Sequence, residues 1–234
     1  MEKGGHYDAS GLIEAQFEPG SHGRVLKNLL GIKSKQEMDQ VEAQEQFRAL
    51  EELIRIYDQD HRFTAADVRR IHKIWLGPIY AWAGQDRRVN LSKGDFPFAA
   101  ANQISRLMME FEKGPLREYT PCQFSVMSEI TRAIAVVHTE LLLIHPFREG
   151  NGRAARLLAI LMALQARLPP LDFGVIKGRK RQEYFAAVQA GLDRDYKPME
   201  KVFSAVIRRT QRVHRTIAGL PALERKLAGS GNTL

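Results

Sequence analysis

The sequence predicts an all-α domain that carries one small β-hairpin. Three observations lead to that fold class. Apolar residues recur at three- and four-residue spacing through most of the 234 positions. Helix-start signals stand ahead of two of those stretches, at Ser34 and Thr64. Only one segment, Arg88 to Phe98, alternates with period two between turn residues. The balance of 44% hydrophobic and 26% charged residues fits a folded globular chain and excludes wholesale disorder.

Residues 1–33 are mixed in pattern and rich in glycine, with Pro19-Gly20-Ser21 as a turn, and are read as an N-terminal extension. Ser34-Lys-Gln-Glu37 has the form of a capping box. It opens a helix whose apolar stripe is Met38, Val41, Phe47, Leu50, Leu53 and Ile54. Thr64-Ala-Ala-Asp67 is a weaker form of the same signal, ahead of Val68, Ile71, Ile74 and Trp75. After Tyr80-Ala-Trp-Ala-Gly84 the pattern changes: Val89 and Leu91 alternate, and Lys93-Gly94-Asp95 is a turn, which gives a short hairpin within Arg88 to Phe98. Helical spacing resumes over Ala100 to Phe111 and over Phe124 to Ile144, the latter entered through Thr120-Pro121. Asn151 to Ala166 is almost wholly apolar after its first turn and is expected in the core. Leu168-Pro169-Pro170 ends it. Arg181 to Asp193 and Lys197 to Arg215 are two further amphipathic segments. The main domain is thus 34–215, followed by a basic tail at 216–234 that Gly219, Pro221 and the glycines near Gly229 are expected to fray.

The composition excludes several function classes. The longest unbroken apolar run, Leu157 to Leu164, is too short to cross a bilayer. No apolar stretch follows the N-terminus, so a secretory signal is not expected. A single cysteine, Cys122, excludes an internal disulfide framework and a multi-cysteine zinc site. A cytoplasmic protein is the expectation. The net charge of +8 is uneven: Arg208, Arg209, Arg212, Arg215, Arg225 and Lys226 stand against Glu224 alone, and Lys177, Arg179, Lys180 and Arg181 form a second cluster. Without an aromatic platform these are read as solvated faces rather than a nucleic-acid surface. His138 and His145 are too few for a zinc site, and His138 is read as a core histidine satisfied by a backbone carbonyl. Glu140 is read as structural, Trp75 and Trp82 as core, and Cys122 as inert.

Chemistry concentrates in His145-Pro-Phe-Arg-Glu-Gly-Asn-Gly-Arg-Ala-Ala-Arg156, between two apolar helices. Pro146 should push His145 to extended geometry and end the incoming helix there. Gly150 and Gly152 allow a tight turn whose N–H groups converge on one point. The next helix starts about Asn151, so its positive dipole end faces the same point. Arg153 and Arg156 are three apart, on one face of the first turn. Helix N-terminus, N–H groups and two guanidinium groups make a polyphosphate site. Glu149 can hold a divalent metal that bridges phosphates. His145 is the one side chain of the loop suited to take a proton near neutral pH. The reaction class is phosphoryl or nucleotidyl transfer.

The stretch resembles the signature of the Fic family, His-Pro-Phe-x-[Asp/Glu]-Gly-Asn-Gly-Arg-x-x-Arg, and fills every specified position. Ile79-Tyr-Ala-Trp-Ala-Gly84, Arg87 and Arg181-x-x-Tyr184 are similar to further family segments, so the resemblance covers roughly residues 35–215. It implies a compact helical core with a β-hairpin flap. It also implies transfer of AMP from ATP to a Tyr, Thr or Ser hydroxyl of a target protein. By that resemblance His145 deprotonates the hydroxyl and Glu149 coordinates Mg²⁺. Asn151 and the N–H groups of Gly150 and Gly152 hold phosphates, Arg153 neutralises the β- and γ-phosphates, and Arg156 assists at the γ-phosphate. Phe147 is given a packing role. The flap, Val89, Asn90, Leu91, Ser92, Lys93 and Gly94, would take the target segment as an added strand.

Members of the family are often silenced by a helix bearing [Ser/Thr]-x-x-x-Glu-[Gly/Asn]. Here Ser10-Gly-Leu-Ile-Glu14 has the spacing, but Ala15 stands in the last position and glycines surround it. The expectation is therefore a toxin-like enzyme held by a small separate antitoxin. Two rivals remain: transfer of phosphate or another nucleotide, and a nucleotide-binding interaction module. Relatives that phosphorylate carry Lys where this chain has Gly152, and the intact His145 opposes a mere binding module.

Overall fold

The computed structural model describes residues 11–218. Among them are the helices α1 (Lys35–Ile56), α2 (Ala65–Leu76), α3 (Ile104–Phe111), α4 (Arg117–Tyr119), α5 (Met127–Ile144), α6 (Asn151–Gln165), α7 (Arg179–Ala190) and α8 (Lys197–Ala218). The strands β1 (Ser92–Lys93) and β2 (Phe96–Pro97) form the one sheet among the described residues. They pair antiparallel, with Ser92 opposite Pro97 and Lys93 opposite Phe96. The fold is all-α with a hairpin, as the periodicity predicts. None of the described helices is long and apolar enough to cross a membrane.

Helices α5 and α6 pack on each other and form the centre. Helices α1 and α2 cover α6, while α3, α7 and α8 cover α5. The pattern follows from composition: Leu157, Leu158, Ile160, Leu161 and Met162 lie on every side of α6, and all are buried. Trp75 and Trp82 are core residues, as expected. Cys122 is buried, and burial pushes its thiol up to about 12, so it is inert. Glu140 accepts a short hydrogen bond from the Tyr196 hydroxyl, a structural contact.

The two cap signals exchange rank. Ser34 Oγ accepts from the Glu37 N–H at 3.4 Å, without the reciprocal bond. Thr64 and Asp67 make the complete box: Asp67 N–H donates to Thr64 Oγ1, and Thr64 N–H donates to Asp67 Oδ2 at 2.9 Å. Tyr57 and His61 also bond to the Asp67 carboxylate. Burial pushes that carboxylate up, but the bonds from Thr64, His61 and Tyr57 outweigh it and hold it below its ordinary value.

Boundaries shift in four places. Helix α5 starts at Met127, because Val126 is extended at its cap. Helix α7 starts at Arg179 and ends in a single 3₁₀ turn at Gly191–Asp193. Beyond α3 the chain stays helical through a π turn at Glu112–Leu116, where the wider ring accommodates Gly114-Pro115, and on into α4. Helix α8 extends past Arg215 to Ala218; the rest of the predicted tail lies outside the described residues.

The complete capping box gives a direct test. Thr64→Ala should destabilise the fold by about 1 kcal/mol, and Ser34→Ala by less, in urea unfolding.

Candidate active site

The loop between α5 and α6 is closed by one side chain. Asn151 Oδ1 accepts from the Phe147 N–H at 2.8 Å, and Asn151 Nδ2 donates to the Phe147 carbonyl at 2.7 Å. Asn151 is buried, and both ends of its amide are thereby engaged in the turn. Phe147 is buried and stacks on His72, with ring centroids 3.8 Å apart. It has the packing role expected of it. His72 has a defined tautomer: the Gly84 N–H donates to Nδ1 at 2.9 Å, so Nε2 carries the hydrogen and donates to the Glu149 carbonyl at 3.0 Å.

Gly150 caps α6 in the left-handed region at φ 82°, and a Cβ there would lie 2.8 Å from the Trp75 ring. Only glycine fits. Gly152 is different. It lies inside α6 with open space around its Cα, so the turn does not demand it, contrary to the sequence reading.

His145 also departs from expectation. It is left-handed, at φ 52° and ψ 57°, rather than extended. Proline disfavours the right-handed helical region for the residue before it, and the left-handed turn avoids that region equally well. It keeps the His145 N–H on the Leu141 carbonyl at 3.0 Å while reversing the chain. The imidazole Nδ1 lies 3.1 Å from the Leu142 carbonyl, which can only accept, so Nδ1 bears the hydrogen. Nε2 is left with a lone pair. Phe98 of the flap stacks on the ring at 3.6 Å and 15°. Burial pushes the His145 pKa down to about 4; the Leu142 bond opposes this and the nearby Arg87 charge adds to it. At neutral pH His145 is an uncharged acceptor.

The charged residues lie on the other side of the turn. Glu149 is exposed; its Oε1 accepts from the Gly150 N–H at 2.9 Å and lies 3.4 Å from Arg153 Nη2. Arg153 Nη1 lies 2.7 Å from Oε2 of Glu42, a carboxylate 2% exposed on α1. The same guanidinium sits 4.7 Å above the Trp75 ring. Glu42 Oε1 accepts from the Tyr80 hydroxyl at 2.8 Å. Arg156 turns the other way, 5.3 Å over the Phe173 ring and with its charge beside Tyr184. The Tyr184 hydroxyl lies 2.7 Å from His138 Nε2, whose Nδ1 bonds to the Ala155 carbonyl as expected of a core histidine. Thus the two arginines, adjacent in the first turn, reach different walls.

These groups line a cleft of about 760 Å³ bounded by the loop, the flap and α7. His145, Glu149, Gly150, Asn151, Gly152, Arg153 and Arg156 all line it, with Leu91, Ser92 and Lys93 from the flap. Of the other expected flap residues, the Val89 carbonyl is held by Arg87, Asn90 Oδ1 accepts from the Ala101 N–H, and Gly94 is the exposed turn. Five cations, Lys93, Arg148, Arg153, Arg156 and Arg181, face one carboxylate, Glu149. That balance suits a polyanion. Among the described residues no group of three or more His, Cys, Asp or Glu could hold a metal. One half-exposed carboxylate suits Mg²⁺, which is commonly held by one or two carboxylates together with substrate phosphates.

Glu14 does not reach Arg156. It is buried, accepts from the Arg88 N–H at 2.6 Å, and its carbonyl accepts from Arg148 Nε at 3.0 Å. Ser10 of the same pattern lies outside the described residues. Sequence reading missed Glu42, His72 and Phe98. Glu42 carried a signal: it falls in register with Met38, Gln46, Ala49 and Leu53, a carboxylate on the buried stripe of α1.

Residues 62–163 match the model of the Fic/DOC family. Protein adenylyltransferase VbhT of Bartonella schoenbuchensis is 33% identical over 137 residues, covering 56% of this chain and 27% of VbhT. The chain thus spans little more than a quarter of that relative's length. The N-terminal Fic domain of a putative cell filamentation protein from Bartonella quintana superposes with a TM-score of 0.63 at 27% identity, covering 77% of this chain and 87% of that one. The BepC protein of Bartonella tribocorum, crystallised with AMPPNP, shares the fold at a TM-score of 0.62 and 23% identity, over 77% of this chain and 91% of that one.

Two buried histidines, His72 and His138, and the part-buried His145 should make stability pH-dependent. Burial pushes His72 and His145 to about 4 and His138 to about 3. The unfolded chain binds protons on all three below about 6.5, and the native state refuses them. Stability should therefore fall as pH drops from about 6.5 to 4. Urea unfolding at stepped pH checks this, and His138→Leu should flatten the slope.

Proposed function

We propose that this chain transfers AMP from ATP to a hydroxyl group of a target protein. The observation that carries the reading is the pairing, across one turn, of an uncharged His145 with a free Nε2 and a cation-lined helix N-terminus. The target hydroxyl gives its proton to His145 Nε2 and attacks the α-phosphorus in line; pyrophosphate leaves. The N-terminus of α6 and Arg156 supply positive charge to the phosphates, and Arg153, braced by Glu42, adds to it. Glu149 would hold Mg²⁺, which when bound neutralises phosphate charge. The flap would present the target segment as an added strand beside Phe98 and His145. The names of the adenylyltransferase relatives and the nucleotide analogue held by BepC support this reading.

Regulation by a separate antitoxin belongs to the same proposal. Among the described residues no carboxylate lies within ion-pair distance of Arg156, and Glu14 is committed to the Arg88 backbone. A toxin-like protein held from outside, in the cytoplasm, accords with that arrangement. Glu14→Gln should change auto-modification less than about threefold, below about 0.7 kcal/mol on the barrier. A tenfold gain, about 1.4 kcal/mol, would make this a self-inhibited enzyme.

Labelled ATP tests the activity. Retention of the α-label on protein, lost by about 10²-fold or more in His145→Ala, is expected. A retained γ-label would mean phosphorylation, and no label a binding module. Arg156→Ala should weaken ATP binding by about 1.5–3 kcal/mol and leave AMP binding nearly unchanged in calorimetry. Arg153→Ala is a poorer probe, because it also leaves the buried Glu42 carboxylate unpaired.

A further inference from the structure

Arg87 is a long charged side chain that the transfer step does not use. It is only 1% exposed. Its guanidinium makes three short bonds in three directions: Nε donates to the His145 carbonyl at 2.7 Å, Nη1 to the Val89 carbonyl at 2.6 Å, and Nη2 to the Ala99 carbonyl at 2.6 Å. Its own backbone N–H donates to the Pro146 carbonyl at 2.8 Å. Every acceptor is a neutral carbonyl, and no carboxylate among the described residues pairs with it. The acid that acts on it, Glu14, spends Oε1 on the Arg88 N–H. A buried cation without a counter-ion is costly, and a simple filler of that space would not need charge.

The acceptors show what the charge does. Val89 and Ala99 stand on the two legs of the flap, either side of β1 and β2. With strands of two residues, the hairpin cannot hold its own orientation. Arg87 ties both legs to the residue that carries the free imidazole nitrogen. A second contact runs parallel to it, the stacking of Phe98 on the His145 ring. Only a planar fork reaches three carbonyls at once; a lysine has one nitrogen to offer.

We propose that Arg87 is a positioning residue that makes the flap and His145 one body, so that a segment docked on the flap presents its hydroxyl at a fixed distance from Nε2. This rests on the transfer reaction proposed above, and it adds that acceptor geometry, not nucleotide affinity, depends on Arg87. The groups that face the His145 imidazole are Arg87, Lys93, Glu149 and the Leu142 carbonyl.

The test uses Arg87→Lys, which keeps the charge and loses the fork, and Arg87→Gln, which loses the charge. Both should leave the ATP dissociation constant within about twofold and lower kcat/KM for the acceptor by about tenfold or more. In the protein without nucleotide, hydrogen exchange at the Phe98 amide, which bonds to the Leu91 carbonyl, should quicken by about tenfold in either variant. The His145 titration followed by NMR should move up in Arg87→Gln and stay in Arg87→Lys, because only the former removes a positive charge. Wild-type flap exchange together with wild-type acceptor kinetics in Arg87→Lys would overturn the proposal. Should the variants not fold, the wild-type protein decides: the Arg87 Nε–H and the Phe98 amide should exchange with one common opening rate, and a Phe98 amide that opens far faster would overturn it. If wild type transfers no nucleotide, the AMP-transfer reading fails, while the exchange and titration results still judge the clasp.

Discussion

The site depends on the closure of a turn by Asn151. Its amide engages both the N–H and the carbonyl of Phe147, so the stretch from Phe147 to Asn151, where the loop enters α6, is held in one shape. Everything else follows from that closure. Phe147 is driven under the loop against His72, and His72 in turn holds the Glu149 carbonyl and the Gly84 N–H. Gly150 can then approach the Trp75 ring, and α6 begins with its N-terminus open to the cleft. Phe147, Asn151 and His72 are buried, and the polar groups of Asn151 and His72 are paired, which is what rigid presentation of a base and an anion site requires.

The electrostatics divide along the same turn. On one side burial keeps His145 neutral, and its Nδ1 bond leaves Nε2 free. On the other side the Glu149 carboxylate sits on the Gly150 N–H beside Arg153, where an anion is favoured by the helix N-terminus. A phosphate arriving there would compete with a side chain of the loop itself. Glu42, outside residues 62–163, balances Arg153 from α1 and keeps that guanidinium stacked on Trp75. Arg156 has no such counter-ion among the described residues and lies against Phe173 and Tyr184.

Much of this was legible in the sequence because it is local. The helices follow from apolar spacing, the burial of α6 from its unbroken apolar composition, and the hairpin from Val89, Leu91 and the Gly94-Asp95 turn. The loop motif brings its residues together simply by being contiguous. What was missed depends on partners far along the chain. Glu42 meets Arg153 across more than a hundred residues, and Arg87 joins Val89, Ala99 and His145 through a fork whose targets are backbone atoms, which no side-chain pattern announces. The left-handed His145 was misread because Pro146 forbids one region without choosing between the others. The Thr64 cap outranked Ser34 because Tyr57 and His61 add bonds to Asp67. The helical spacing read over Ala100 to Phe111 does not show that a π turn at Glu112–Leu116 carries the helix on through Gly114-Pro115.

As the proposed base in one in-line displacement, His145 would form no bond to phosphorus. The stereochemistry of transfer tests this role. ATP made chiral at the α-phosphorus by sulfur substitution is given to the protein, and the configuration of the thio-AMP attached to the acceptor hydroxyl is read. A single in-line attack inverts the phosphorus, so inversion is expected. Retention would require two displacements through an enzyme-bound nucleotide, and would contradict the role assigned to His145.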